Sequence, residues 1–204
     1  MVGRGDFEAL LEESVKTHGH LCPGQALGVR MAIYGLAGIG IDDPKGKDRK
    51  KLLVIVEVDR CATDALQSVT GCSLGKRSMK FMDYGKMAAT FVNLSTGNAL
   101  RVVAKEEARD KAREYFPEIK DKYACQLEAY KIMPDHELFL SEQVVVNIPR
   151  DEMPGIKAER GRCEQCGEWF YLKEGHCTHL CGACKKGSYY QKIFSFGERY
   201  APNP

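Results

Sequence analysis

The chain has 204 residues, 44% of them apolar and 28% charged, with a formal net charge of +2; this is the balance of a globular protein with room for one ordinary domain and a small appendage, and it excludes disordered and fibrous classes. Residues 161–204 hold six Lys/Arg against four Asp/Glu and so carry the whole excess; thiolates on a metal there would offset it, leaving no basic footprint for nucleic acid. The opening MVGRGDFEALLEES has no apolar leader core and no run approaches the length of a membrane span, which indicates a cytoplasmic protein with no membrane partner, whose cysteines are metal ligands, reactive thiols or small core residues rather than disulfides.

Asp6 is suited to cap a helix with Phe7, Leu10, Leu11 and Val15 on one face. That helix should stop near Thr17, before the glycine- and proline-punctuated His18-Gly19-His20-Leu21-Cys22-Pro23-Gly24. Pro23 suits the first turn of a second helix over 25–36, apolar on most sides and therefore central. After a polar loop, 52–58 reads as a buried strand, followed at once by Cys61 and a short helix through Ala62, Ala65, Leu66 and Val69 that Gly71 ends. Cys72 lies in the glycine-flanked turn behind it. Strands are expected over 79–82, 86–94 and 99–104, the last two joined by a Ser95-Thr96-Gly97-Asn98 hairpin turn. Helices are expected over 105–116 and 121–131, and a last strand over 143–148. Strands adjacent in sequence imply an α+β core, residues 1–155, with a mostly antiparallel sheet and helices packed on it. A linker over 149–162, rich in Pro, Gly and charge, leads into a small zinc-ribbon domain, residues 156–204.

The ribbon rests on Cys163-x2-Cys166 and Cys181-x2-Cys184, with fourteen residues between the pairs. This is the two-knuckle spacing of a tetrahedral zinc site, in which each tight turn offers two sulfurs to one ion, and Gly167 and Gly182 supply open backbone for the turns. The insert between them carries His176, Cys177 and His179, so a swapped ligand is conceivable, Cys177 above all. A second cluster lies in the core. His18, His20 and Cys22 alternate at spacing two, so in an extended segment their side chains share one side. Cys22 and Cys61 both precede or open helices, where backbone N–H groups favour a thiolate. His18, His20 and Cys61 are the expected ligands of a second ion, zinc or another borderline-soft metal by the chemistry of the donors. Cys22 and Cys72 are expected nearby, as further ligands or as reactive, catalytic thiols. Lys76, Arg77 and Lys80 could hold an anion, although a solvated charged face explains them better.

The runs HGHLCPG with Leu27-Gly28-Val29-Arg30, EVDRCATDA at 57–65, TGCSLGK at 70–76 and Asp83-Tyr84-Gly85-Lys86 resemble, in the same order, the FmdE family of formylmethanofuran dehydrogenase components. The tail is similar to the four-cysteine zinc finger that some members carry. The resemblance implies an α+β core, a homodimer and a cleft lined by the motif residues. Its name implies association with the other subunits of a molybdenum or tungsten enzyme of one-carbon metabolism. The chain itself has no iron–sulfur spacing and no dinucleotide fingerprint, so it cannot run that redox reaction alone. Three functions follow: a zinc-binding accessory subunit or assembly partner of such an enzyme, a stand-alone zinc or thiol enzyme using the core cluster, or a zinc-ribbon regulator.

Overall fold

The structure is a computed structural model and describes residues 4–157, 159–172 and 179–191. The chain divides into two compact units, Met1–Ile148 with Glu152–Gly155, and Pro149–Asp151 with Ile156–Pro204.

The first unit is α+β. Its five strands, β1 (Leu52–Val56), β2 (Met79–Phe81), β3 (Ala88–Asn93), β4 (Ala99–Ala104) and β5 (Phe139–Gln143), stand in the order β2-β1-β3-β4-β5. All neighbours are antiparallel except β1 and β2. That parallel pair needs a crossover connection, and the helix Cys61–Thr70 supplies it. Period-two alternation sorts the side chains: Leu52, Val54 and Val56 with Phe91 and Val102 face the helices in the main core, while Leu53, Val92 and Ala99 form a smaller cluster on the other face.

The helices are α1 (Arg4–His18), α2 (Pro23–Gly38), α3 (Cys61–Thr70), α4 (Ala108–Tyr115), α5 (Lys122–Ile132) and the single turn α6 (Asp135–Leu138). Helix α1 starts ahead of Asp6, which therefore sits in the first turn rather than at the cap; its carboxylate still meets the positive end of the helix dipole. Helix α2 is buried on nearly every side and touches α1, α3, α5 and the two strands β3 and β4. An apolar, all-round pattern is what a central helix needs.

The last strand differs from expectation. The ladder uses Phe139–Gln143, and only the Val144 N–H continues it, to the Ala99 carbonyl at 3.1 Å. The alternating Val144, Val146 and Ile148 instead pack on Leu53, Val92 and Ala99. Their period of two is genuine, but it reports a covering segment rather than a paired strand.

In the second unit β6 (Arg160–Arg162) pairs antiparallel with β7 (Trp169–Tyr171), and α7 (Gly182–Lys186) follows. Among its described residues only Cys163 and Cys181 are buried. Among the described residues of the whole chain, no helix is long and apolar enough to cross a membrane.

Candidate metal centres

The core cluster forms where three helix ends meet. His18 is the last residue of α1, Cys22 is the extended residue ahead of α2 (φ −148°, ψ 165°), and Cys61 opens α3. A ring nitrogen of His18 and the sulfurs of Cys22 and Cys61 lie within 4.8 Å of one another. His18 Nδ1 is 2.8 Å from Asp64 Oδ2. In a neutral ring Nδ1 would be the donor to that carboxylate, which orients the imidazole and leaves the Nε2 lone pair free. Nε2 is shielded from water and has no hydrogen-bond partner. A buried acceptor without a partner is costly unless something fills it, and two sulfurs lie close to the same ring.

Close helix packing makes this possible. A Cβ on Gly28 would lie 2.7 Å from the Ala62 carbonyl oxygen, and one on Gly24 would lie 2.8 Å from Cys61 Cβ. The two glycines, one turn apart, let the first halves of α2 and α3 approach backbone to backbone, and that approach sets Cys22 beside Cys61. Gln25, fully buried, locks the junction: its Nε2 donates to the Cys61 carbonyl at 2.6 Å and its Oε1 accepts from Ser14 of α1. Gly28→Ala is therefore expected to lower stability by about 2 kcal/mol through overpacking, or roughly 4–8 °C in a thermal melt followed by circular dichroism. An unchanged melt would show slack between the helices.

Of the expected core residues, the structure brings together His18, Cys22 and Cys61. The exposed His20 ring lies 4.5 Å, centroid to centroid, from that of His18, tilted by 39°, and stays outside the three-residue group. Cys72 lies beyond the other end of α3, a helix about 15 Å long at 1.5 Å per residue, and is buried in the main core with its sulfur 3.9 Å from the Leu52 carbonyl. Burial pushes the Cys72 thiol up, which is the environment of a packing cysteine rather than a nucleophile. Burial, and then the adjacent Cys22 sulfur, also push Cys61 up; a cation between the two sulfurs would reverse that repulsion. Two participants went unassigned in the sequence. Asp64 stands three residues after Cys61, on the same face of α3, and Gln25 is a fully buried polar residue in a mostly apolar helix.

The four ribbon sulfurs also lie within 4.8 Å of one another, with Cys166 and Cys181 3.8 Å apart. The first knuckle is a tight turn: Gly167 takes φ +75°, its N–H reaching the Cys163 carbonyl at 2.8 Å. The second differs from expectation, because Gly182 is the first residue of α7 and Cys181 its cap, so a helix start rather than an open glycine turn presents the sulfurs. Backbone N–H groups of Cys166 and Cys181 draw the Cys163 thiol down to about 6, whereas burial and the neighbouring thiols push Cys184 up to about 12. Four crowded thiols ionise in series unless a cation neutralises them. His179 lies with its ring nitrogen 3.8 Å from Glu164 and is exposed. His176 and Cys177 fall outside the described residues.

The model of the family described as "FmdE, Molybdenum formylmethanofuran dehydrogenase operon" matches residues 17–140, which hold all three residues of the core cluster. The chain belongs to the FmdE family. A relative in Archaeoglobus fulgidus, a probable S-adenosyl-L-methionine-binding protein, is 32% identical over 198 residues, covering 85% of this chain and 53% of that protein. The chain thus spans about half the length of the curated relative it matches. A crystal structure of a tungsten formylmethanofuran dehydrogenase FmdE-like protein from Syntrophus aciditrophicus superposes with a TM-score of 0.62 at 23% identity, covering 91% of this chain and 95% of that one, and supports the fold.

Proposed function

We propose that this FmdE-family chain is a zinc-binding accessory subunit or assembly partner of a molybdenum or tungsten formylmethanofuran dehydrogenase-like enzyme, and that its core carries a metal centre besides the ribbon. The observation that carries the reading is the convergence of a His18 ring nitrogen with the Cys22 and Cys61 sulfurs, in a ring whose Nε2 is solvent-shielded and unpartnered. One imidazole and two thiolates suit zinc, and three protein ligands leave a fourth position open, the pattern of reactive rather than structural zinc. Zinc held so would act as a Lewis acid. The chain's own part is positional: Asp64 orients His18, and Gln25 with the glycine contact fixes Cys61. That three-ligand set also favours a second reading, a stand-alone zinc enzyme acting at the same cleft. Homodimeric assembly belongs to the proposal, on the family resemblance. Binding of S-adenosyl-L-methionine, named for a relative of about twice the matched length, is assigned no site here.

Cobalt substitution of the full chain tests the centre. The core and ribbon sites should give two distinguishable sets of visible bands, and added cyanide should shift only the core set, at the open position. A single, cyanide-insensitive four-thiolate spectrum would sink the core centre. Co-purification of the dehydrogenase components with the tagged chain separates the accessory reading from the stand-alone one, and light scattering on the same sample should give a dimeric mass.

A further inference from the structure

At the opposite end of α3 from the metal centre, the first unit carries a half-open cavity of about 670 Å³ whose walls include Lys45, Arg49, Lys50, Lys76, Ser68 and Glu13. This volume falls in the range that holds metabolite-sized ligands. Four cations face one carboxylate. Glu13 is taken by Lys45, whose Nζ lies 2.6 Å from its Oε1. The Lys76 ammonium donates to the Gly71 carbonyl at 2.9 Å and so caps the negative end of α3. No ion pair engages Arg49 or Lys50 among the described residues.

The loop that presents these cations is ordered by its own acids. Asp43 accepts from the N–H groups of Gly46 and Lys47 at 2.9 and 3.0 Å. The buried Asp48 accepts from the Asp43 N–H at 3.3 Å and from Lys51 Nζ at 2.8 Å, and Lys51 holds its carboxyl below the usual range. The negative charge nearest Arg49 and Lys50 is therefore turned onto the loop's own backbone and onto Lys51. Lys45 crosses from that loop to lie over Gly71, its Cγ 3.2 Å from where a Cβ would stand. The Ser68 hydroxyl in the same wall is shielded from water and has no partner among the described residues.

We infer that this cavity binds a phosphorylated small molecule, with Arg49 and Lys50 as its principal charge partners. A planar guanidinium matches a phosphate edge with two parallel N–H bonds, and ammonium groups add charge without demanding one geometry. The site lies about 15 Å along α3 from Cys61, so it is independent of the metal centre.

Inorganic pyrophosphate is the probe, titrated calorimetrically into the full chain with citrate as a polycarboxylate control. Saturable binding tighter than about 1 mM is expected, weakening as salt rises. Arg49→Gln with Lys50→Gln should weaken it at least about tenfold while the circular dichroism spectrum stays unchanged, since both side chains are exposed. Because pyrophosphate also coordinates zinc, the titration is repeated in Cys61→Ala, where binding should persist. Absent binding, unchanged affinity in the double variant, equal affinity for citrate, or loss in Cys61→Ala would each overturn the assignment. The last outcome would place the anion at the core metal and leave the metal proposal standing.

Discussion

Cys184→Ser is expected to leave the purified chain short of one metal ion and to make residues 156–204 protease-sensitive while the first unit resists cleavage. The reason is the burial pattern. Among the described residues of the second unit only Cys163 and Cys181 are shielded from water, and Trp169 and Tyr171 stand mostly exposed, with the Arg160 guanidinium 5.9 and 5.6 Å from their ring centroids. Three-residue strands and a five-residue helix cannot hold themselves together in water without apolar burial or a cross-link. Four thiolates on one ion would replace that missing core, with an apparent binding free energy on the order of 10 kcal/mol that is also folding free energy. A hydroxyl in place of the Cys184 sulfur removes a ligand that the metal-free protein holds protonated, its thiol pushed up to about 12, and only the cation makes it a thiolate. Limited proteolysis with mass spectrometry, beside metal analysis by emission spectroscopy, checks both halves of the expectation. A variant tail as resistant as the wild type would mean that the sulfurs are not its staple.

Elements whose residues carry a local signal were legible in the sequence. The apolar run of β1, the central helix α2 and the left-handed Gly71 that ends α3 (φ +66°) each follow from composition or backbone freedom within a few residues. The family resemblance was equally local, because its four motifs are contiguous. Properties set by contacts distant in sequence were not. Nothing between residues 139 and 148 says which half pairs with β4, because both halves are compatible with extended chain and the choice is made by the uncovered sheet face. The core cluster shows the same limit. Alternation put His18, His20 and Cys22 on one side of an extended segment, but α1 runs through His18, so the segment is extended only after the helix ends. His18 then reaches the site from a helix terminus and Cys22 from a helix cap. Pairing His18 with Asp64 crosses 46 positions, and no periodicity in one sequence reports such a contact.

Cys61→Ala should separate the two metal sites, lowering metal content from about two ions per chain to about one without unfolding either unit. The contrast with the ribbon is physical. The first unit has a contiguous apolar core running from Phe7 to Phe139, so its fold does not depend on an ion, and Cys61 is only partly buried at its edge. Removing its sulfur leaves His18 and Cys22, and two ligands seldom retain zinc at the dilution of a purification. His18→Ala should have the same effect on metal content. Asp64→Ala gives the finer test, because Asp64 would touch no metal and acts only by holding His18 Nδ1 at 2.8 Å. Loss of such an orienting carboxylate is expected to weaken metal binding about 10–100-fold, and Asp64→Asn, which still accepts from Nδ1–H, should recover part of it. A purely structural role for Asp64 would instead appear as a lower melting temperature at unchanged affinity, and its side chain, 52% exposed, offers little packing to lose. The pH dependence follows in sign. Zinc bound there would compete with protons for the two thiolates and the imidazole, so core occupancy should fall on acidification, and Asp64→Ala should move that loss to higher pH because a weaker site yields to protons sooner. Metal analysis after dialysis across a pH series reads both effects. Full core occupancy in Cys61→Ala, or identical pH profiles for the wild type and Asp64→Ala, would remove the ion from this cluster and leave His18, Cys22 and Cys61 as close neighbours with no shared ligand.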